Sequence, residues 1–163
     1  LPAGSVLDAD ALFWLAQGGA LRERLPAGMI LTPHLGEMAR LTGRPVAVIE
    51  ADRARAAREL ARELSAVVVL KGPCTLVAEP GGRTHVSPVV APCLATGGSG
   101  DVLSGVLAAL RAGGLSPLPS ACLGVYWHGL AGKHLENEHP RRGALAREIA
   151  DALPKVLKET SPC

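Results

Sequence analysis

Short apolar runs bounded by turn residues punctuate the first half of the chain, while longer stretches with helical spacing fill the second. Val6-Leu7, followed by Asp8-Ala9-Asp10, reads as a short buried strand entering a loop. Ala11 to Gln17 then reads as a helix stopped by Gly18-Gly19. Met29-Ile30-Leu31 is a second strand ending at Thr32-Pro33. Pro33 is expected in the first turn of a helix that carries Glu37, Met38 and Leu41 and stops near Gly43. From Glu50 to Leu64 a single helix is predicted. Ala57, Leu60, Ala61 and Leu64 share one face of it, and Arg55 and Glu59 pair at i,i+4 on the other. The β-branched run Val67-Val68-Val69-Leu70 predicts a strand covered on both faces. Cys74 to Glu79 and Arg83 to Ser87, flanking Pro80-Gly81-Gly82, predict an antiparallel hairpin. Helices are predicted over Asp101–Arg111, Ser120–Leu135 and Leu145–Lys158. Strands alternating with helices argue for a layered α/β sheet with a helical C-terminal half and the hairpin at one edge.

Composition narrows the function. At 163 residues, with 48% hydrophobic and 20% charged residues, the chain has the size and balance of about one domain. Its 17 basic and 15 acidic residues are interspersed, and no block of five like charges marks a nucleic-acid arm. Four aromatics, Phe13, Trp14, Tyr126 and Trp127, are few for a base-stacking platform, and Tyr126-Trp127 is expected to pack a helix. The uncharged run Ala112–Gly132 is long enough to span a bilayer, but it contains five Gly, two Pro, two Ser and His128, which argues against a membrane reading. Cys74, Cys93, Cys122 and Cys163 form no CxxC pair and read as incidental or buried thiols. His128, His134 and His139 have no ligand spacing and are assigned to surface or core roles. No signal peptide is evident near Leu1.

The densest chemical signal is Ala95-Thr96-Gly97-Gly98-Ser99-Gly100-Asp101, running directly into an apolar helix. Glycines let the backbone approach a ligand closely, and the helix start offers unpaired N–H groups and partial positive charge. Together they make an anion site suited to a phosphate. Asp101 is read either as a helix cap or as a general base that takes a proton from a hydroxyl attacking that phosphate. Known motifs do not fit: the segment breaks G-x-G-x-x-G, the chain has no G-x-x-x-x-G-K-[ST], and Asp101 stands where G-x-S-x-G needs its last glycine. Asp8 and Asp10 sit at a strand end, where open α/β sheets place ligands, and serve there either as pocket residues or as turn formers. Lys71 is read against the alternative of a strand-end lysine reaching solvent.

Five segments then occur in order: VLDADAL from Val6, TPHLGEMARLTG from Thr32, VVVLKGPCT from Val67, ATGGSGDVLSGVLA from Ala95 and GVYWHGLAG from Gly124. Taken together they resemble the ribokinase-like family of NAD(P)H-hydrate dehydratases, which restore hydrated nicotinamide cofactors, over nearly the whole chain. The resemblance implies a ribokinase-like layered sheet with flanking helices. Residues 1–163 would form the C-terminal portion of one such domain, lacking its N-terminal part. It implies phosphorylation of the C6 hydroxyl of hydrated NADH or NADPH by ADP or ATP, then loss of phosphate. By motif position Asp101 is the implied base and, with His34, a contact to the hydrated cofactor. Lys71, Gly72, Pro73, Cys74, Thr75 and Gly100 are implied to hold the AMP portion, and Gly98, Ser99 and Gly100 to form the anion hole. Glu37 is implied as an indirect ligand of Mg²⁺, against the alternative of stabilising a helix N-terminus. High Ala, Arg, Gly and Pro usage reads as bacterial and favours ADP. The family implies a cytoplasmic homotetramer without nucleic-acid or membrane partners. Where family members carry an N-P-T-G-N-P-like stretch, this chain has Ser87-Pro88-Val89-Val90-Ala91-Pro92, which replaces polar groups on the nucleotide side. A ribokinase-like kinase of a small, vitamin-type alcohol and an inert nucleotide-binding fragment are the alternatives.

Overall fold

A computed structural model describes residues 1–138 and 143–160; His139 and Cys163 lie outside these described residues. Five strands form one sheet in sequential order: β1 (Val6–Leu7), β2 (Ile30–Leu31), β3 (Val67–Leu70), β4 (Leu76–Ala78) and β5 (Thr84–Val86). β1, β2 and β3 are parallel, with Val6 opposite Ile30 and Leu31 opposite Val68. β4 and β5 return antiparallel, placing Val69 against Val77 and Val77 against His85. The hairpin is therefore one edge of the sheet, as the Pro80-Gly81-Gly82 turn predicts, and β1 is the other.

Side-chain alternation along β3 explains the layers. Val68 and Leu70 point into a core shared with helices α1 (Asp10–Ala16), α3 (Leu35–Thr42), α4 (Val46–Ala51) and α5 (Arg53–Leu64). Val67 and Val69 point the other way, onto Leu103 and Leu107 of α6 (Ser99–Ala112) and Ala121 and Val125 of α7 (Pro117–Glu138). The β-branched run is buried throughout because both of its faces are covered. A third cluster joins α7 to α8 (Ala146–Thr160) through Leu135, Ile149 and Val156. A four-residue helix, α2 (Ala20–Glu23), and a 3₁₀ turn over Pro92–Leu94 complete the chain and have no counterpart in the periodicity reading.

Beyond shifts of up to three residues at helix ends, two features differ from those the pattern predicts. The segment expected as one helix from Glu50 is two, because Asp52 leaves helical geometry and its carboxylate accepts from the Arg55 N–H at 2.9 Å. A short polar side chain that bonds the next turn's amide starts a new helix rather than continuing the old one. Pro33 lies before its helix rather than in the first turn, since His34 is the N-cap of α3. The Arg55–Glu59 pair forms as predicted, at 2.8 Å, and with Arg44 it holds the exposed Glu59 carboxyl below its usual range. Cys74 is exposed, Cys93 buried and Cys122 half-buried. All three are free thiols, and burial pushes those of Cys93 and Cys122 up. Among the described residues no helix is long and apolar enough to cross a membrane.

Candidate functional site

The C-terminal ends of the three parallel strands deliver Asp8, Thr32-Pro33-His34 and Lys71 to one end of the sheet, where open α/β sheets bind ligands. Backbone bonds join these exits: the Thr32 N–H donates to the Leu7 carbonyl at 3.0 Å and the Lys71 N–H to the Pro33 carbonyl at 2.8 Å. The start of α6 faces them. A cavity of about 1050 Å³ lies between the α6 start, the loop after β3 and a strap over residues 87–96.

Of the residues the motifs single out, His34, Lys71, Gly72 and Pro73 line this cavity, together with Thr75, Ser99 and Gly100. Cys74 is exposed and is not among the lining residues. Gly98, Asp101 and Glu37 are not on the lining either: Gly98 is the N-cap of α6, Asp101 is exposed in the first turn of that helix, and Glu37 is buried beneath His34. Asp101 follows directly on Gly100, which lines the cavity.

Gly98 must be glycine: its φ is +84°, and a Cβ there would stand 2.9 Å from the Ala146 Cβ. That left-handed turn aims the helix start at the cavity. The Ser99 N–H donates to the Thr96 carbonyl at 3.3 Å, and the Ser99 hydroxyl lies 3.2 Å from His128 Nε2. Among the described residues, the Gly100 and Asp101 N–H groups have no backbone partner, as expected of the first helical turn. Among the described residues the Gly98 N–H is likewise without a partner, so of the implied anion-hole residues Gly98 and Gly100 keep free amides, joined by Asp101, while the N–H and hydroxyl of Ser99 are engaged.

Beneath Gly100 lies a charged network. Asp8 Oδ1 accepts from Lys71 Nζ at 2.8 Å, Asp8 Oδ2 accepts from the Ser104 hydroxyl at 3.0 Å, and Lys71 Nζ lies 3.8 Å from Glu37 Oε2. A Cβ at Gly100 would meet both Asp8 Oδ2 and Lys71 Nζ at 3.3 Å, so the missing side chain is what lets the ammonium reach the helix start. The Asp10 position begins α1 as its acidic first-turn residue.

His34 and Glu37 form a capping box. His34 Nδ1 accepts from the N–H groups of Gly36 and Glu37 at 3.0 and 3.2 Å, and Glu37 Oε2 accepts from the His34 N–H at 2.8 Å. A neutral His34 therefore carries its proton on Nε2, which lies 3.6 Å from Glu37 Oε1 on the half-exposed edge of the ring.

One lining residue was missed by spacing arguments. His128 of α7 is buried, and its Nε2 lies 3.1 Å from the Ser99 carbonyl oxygen, which can only accept. The neutral ring thus bears its proton on Nε2. Burial drives its pKa down to about 4, aided by nearby Lys71 and opposed by the bond to Ser99. The group that steadies the anion loop is therefore uncharged at neutral pH. Isolated in sequence, it carries no ligand pattern; its position inside GVYWHG, following Gly124, was the available signal.

The apolar strap also has a local explanation. A Cβ at Gly129 would fall 2.9 Å from Val89 Cβ, and one at Gly132 would fall 2.7 Å from Ala91 Cβ. Small residues spaced along α7 let Val89 and Ala91 seat closely on that helix, making the cavity wall hydrophobic.

Comparison with known proteins identifies the family and the fold. The chain is 44% identical over 154 residues to the bifunctional NAD(P)H-hydrate repair enzyme Nnr of Moorella thermoacetica, covering 94% of this chain and 29% of that protein. The crystal structure of the ADP/ATP-dependent NAD(P)H-hydrate dehydratase of Bacillus subtilis, co-crystallized with ATP/Mg²⁺ and soaked with CoA, superposes with a TM-score of 0.86. It is 37% identical and is matched over 94% of this chain and 55% of its own. A ribokinase-like superfamily protein of Enterococcus faecalis superposes with a TM-score of 0.79 at 28% identity, covering 94% of this chain and 52% of that one, and the fold is the ribokinase-like layered sheet that the motifs imply. The chain thus spans about half the length of these two structures and less than a third of the bifunctional relative. The family model for NAD(P)H-hydrate dehydratase matches residues 2–155, and the chain belongs to that family.

Proposed function

We propose that this chain carries the nucleotide and phosphoryl side of a nucleotide-dependent NAD(P)H-hydrate dehydratase. The Asp101 carboxylate takes the proton from the C6 hydroxyl of the hydrated nicotinamide ring. The freed oxygen bonds the terminal phosphorus of ADP or ATP as the bond to the bridging oxygen breaks, releasing AMP or ADP. Loss of phosphate from C6, with a proton from the adjacent ring carbon, regenerates the dihydronicotinamide. The free amides of Gly98, Gly100 and Asp101 and the Lys71 ammonium receive the phosphoryl charge, with Ser99 shaping the loop between them, and fixed donors of this kind favour the transition state where charge spreads over the migrating group. Residues Lys71–Thr75 hold the AMP portion along the cavity, and His34 meets the hydrated dinucleotide through its Nε2 edge.

The observation carrying this reading is the convergence of the unpaired Gly100 amide and the Lys71 ammonium on a cavity of about 1050 Å³. Among the described residues no cluster of His, Cys, Asp and Glu could cage a metal ion, and the carboxylates of Asp8 and Glu37 already accept hydrogen bonds. Magnesium would be borne by the nucleotide phosphates and would offset their charge; Glu37, the residue implied to meet it through water, is buried off the cavity lining and already accepts from the His34 N–H. ADP is the favoured donor, the reaction belongs in the cytoplasm, and assembly is tetrameric.

The test is regeneration of NADPH absorbance from hydrated NADPH with ADP or ATP and Mg²⁺, using this chain and any longer protein containing it. Asp101→Asn should abolish turnover and leave ADP binding intact. Phosphorylation of a vitamin-type alcohol without NADPH release would transfer the assignment to a ribokinase-like kinase, and ADP binding with no turnover of either would leave an inert nucleotide-binding fragment.

A further inference from the structure

The Asp8 carboxylate lines no part of the cavity, yet it touches every element that builds the anion site. It follows β1, accepts from Lys71 at the end of β3, and accepts from Ser104 within α6. Gly100 and Ser104 are four residues apart and share one face of α6, so the carboxylate meets that helix at the turn bearing the anion amides. Its side chain is 14% exposed and that of Lys71 22%, so the pair is shielded from water and weakly screened. Glu37 faces the same ammonium from the other side at 3.8 Å. A lysine side chain has a flexible stem and would, unrestrained, follow the densest negative charge on a bound nucleotide.

We infer that Asp8 is a positioning residue, holding the Lys71 ammonium at Gly100 for the migrating phosphoryl group instead of letting it follow the ground-state nucleotide. The inference rests on the reaction proposed above. A cation fixed where charge develops accelerates the chemical step, whereas one free to follow the bound nucleotide only tightens binding. Asp8 therefore trades nucleotide affinity for rate. A plain staple between β1, β3 and α6 would do neither.

The two roles separate in a double-mutant cycle on the full chain, reading ADP–Mg²⁺ binding by calorimetry and turnover of hydrated NADPH. Asp8→Asn keeps the shape and an acceptor oxygen while removing the counter-charge. It should tighten ADP binding about threefold or more and lower kcat about tenfold or more. With Lys71→Gln already present, adding Asp8→Asn should change neither quantity by more than about twofold. Weaker ADP binding in Asp8→Asn, or the same change with and without Lys71, would overturn the inference. Should Asp8→Asn fail to fold, Ser104→Ala loosens the same carboxylate. It should lower kcat about fivefold without weakening ADP binding, and an unchanged kcat would overturn the inference. If the wild-type chain turns over no hydrated NADPH, the proposed reaction fails separately. The ADP arm then still decides whether Asp8 restrains Lys71: tightening in Asp8→Asn supports it and weakening refutes it.

Discussion

His128 makes stability depend on pH in a way that can be calculated. In the folded chain its pKa is about 4, against an ordinary value of 6.5, chiefly because the imidazolium would be buried. A depressed histidine pKa means the unfolded state binds more protons between these two values, so stability falls as pH drops through the window. It is fully present above about pH 6.5, is reduced by about 2 kcal/mol near pH 5 and by about 3 kcal/mol near pH 4, and levels off below. Urea denaturation followed by circular dichroism at several pH values would measure this. The control is His128→Gln, whose amide nitrogen can still donate to the Ser99 carbonyl but cannot titrate. Carboxylates contribute alike to both proteins, so the difference between the two curves isolates the imidazole. The wild-type curve should fall about 2 kcal/mol further than the variant between neutral pH and pH 5. Parallel curves would refute the claim that a neutral, desolvated His128 clamps the start of α6.

Removing the cap at α3 with His34→Ala should cost about 1 kcal/mol in chemical denaturation. His34→Asn should restore that stability because Asn also caps, yet it should still weaken binding of the hydrated dinucleotide, separating the two roles. A Cβ at Gly124 would stand 2.6 Å from Leu107 Cδ2, so Gly124→Ala should destabilise by about 1–3 kcal/mol. Leu107 is fully buried, and Leu107→Ala alone should cost about 2–5 kcal/mol; the double variant should lose clearly less than the sum, measured by the same denaturation. Gly98→Ala, which meets both a left-handed φ and the Ala146 methyl, should lower melting temperature and reduce ADP affinity together.

Local pattern was enough for the parts of the molecule whose bonds are local. The β-branched Val67–Leu70 run, the Pro80-Gly81-Gly82 hairpin and the glycine loop before α6 are where their residue types require them, because φ/ψ preference and alternation act over a few residues. The ordered motifs likewise disclosed the family and the side of the sheet where chemistry would gather. The helix break at Asp52 was harder to read, since an apolar period continues across it while one carboxylate turns back to cap the next turn. What only the tertiary structure decided are pairings between distant positions. Asp8 meets Lys71 63 residues away and Ser104 96 away, and His128 reaches Ser99 across 29. No periodicity encodes such pairs, because they exist only after the sheet has brought its strand ends beneath α6 and laid α7 alongside. The same packing decides that His128 is desolvated and neutral, a property no isolated histidine in a sequence can display.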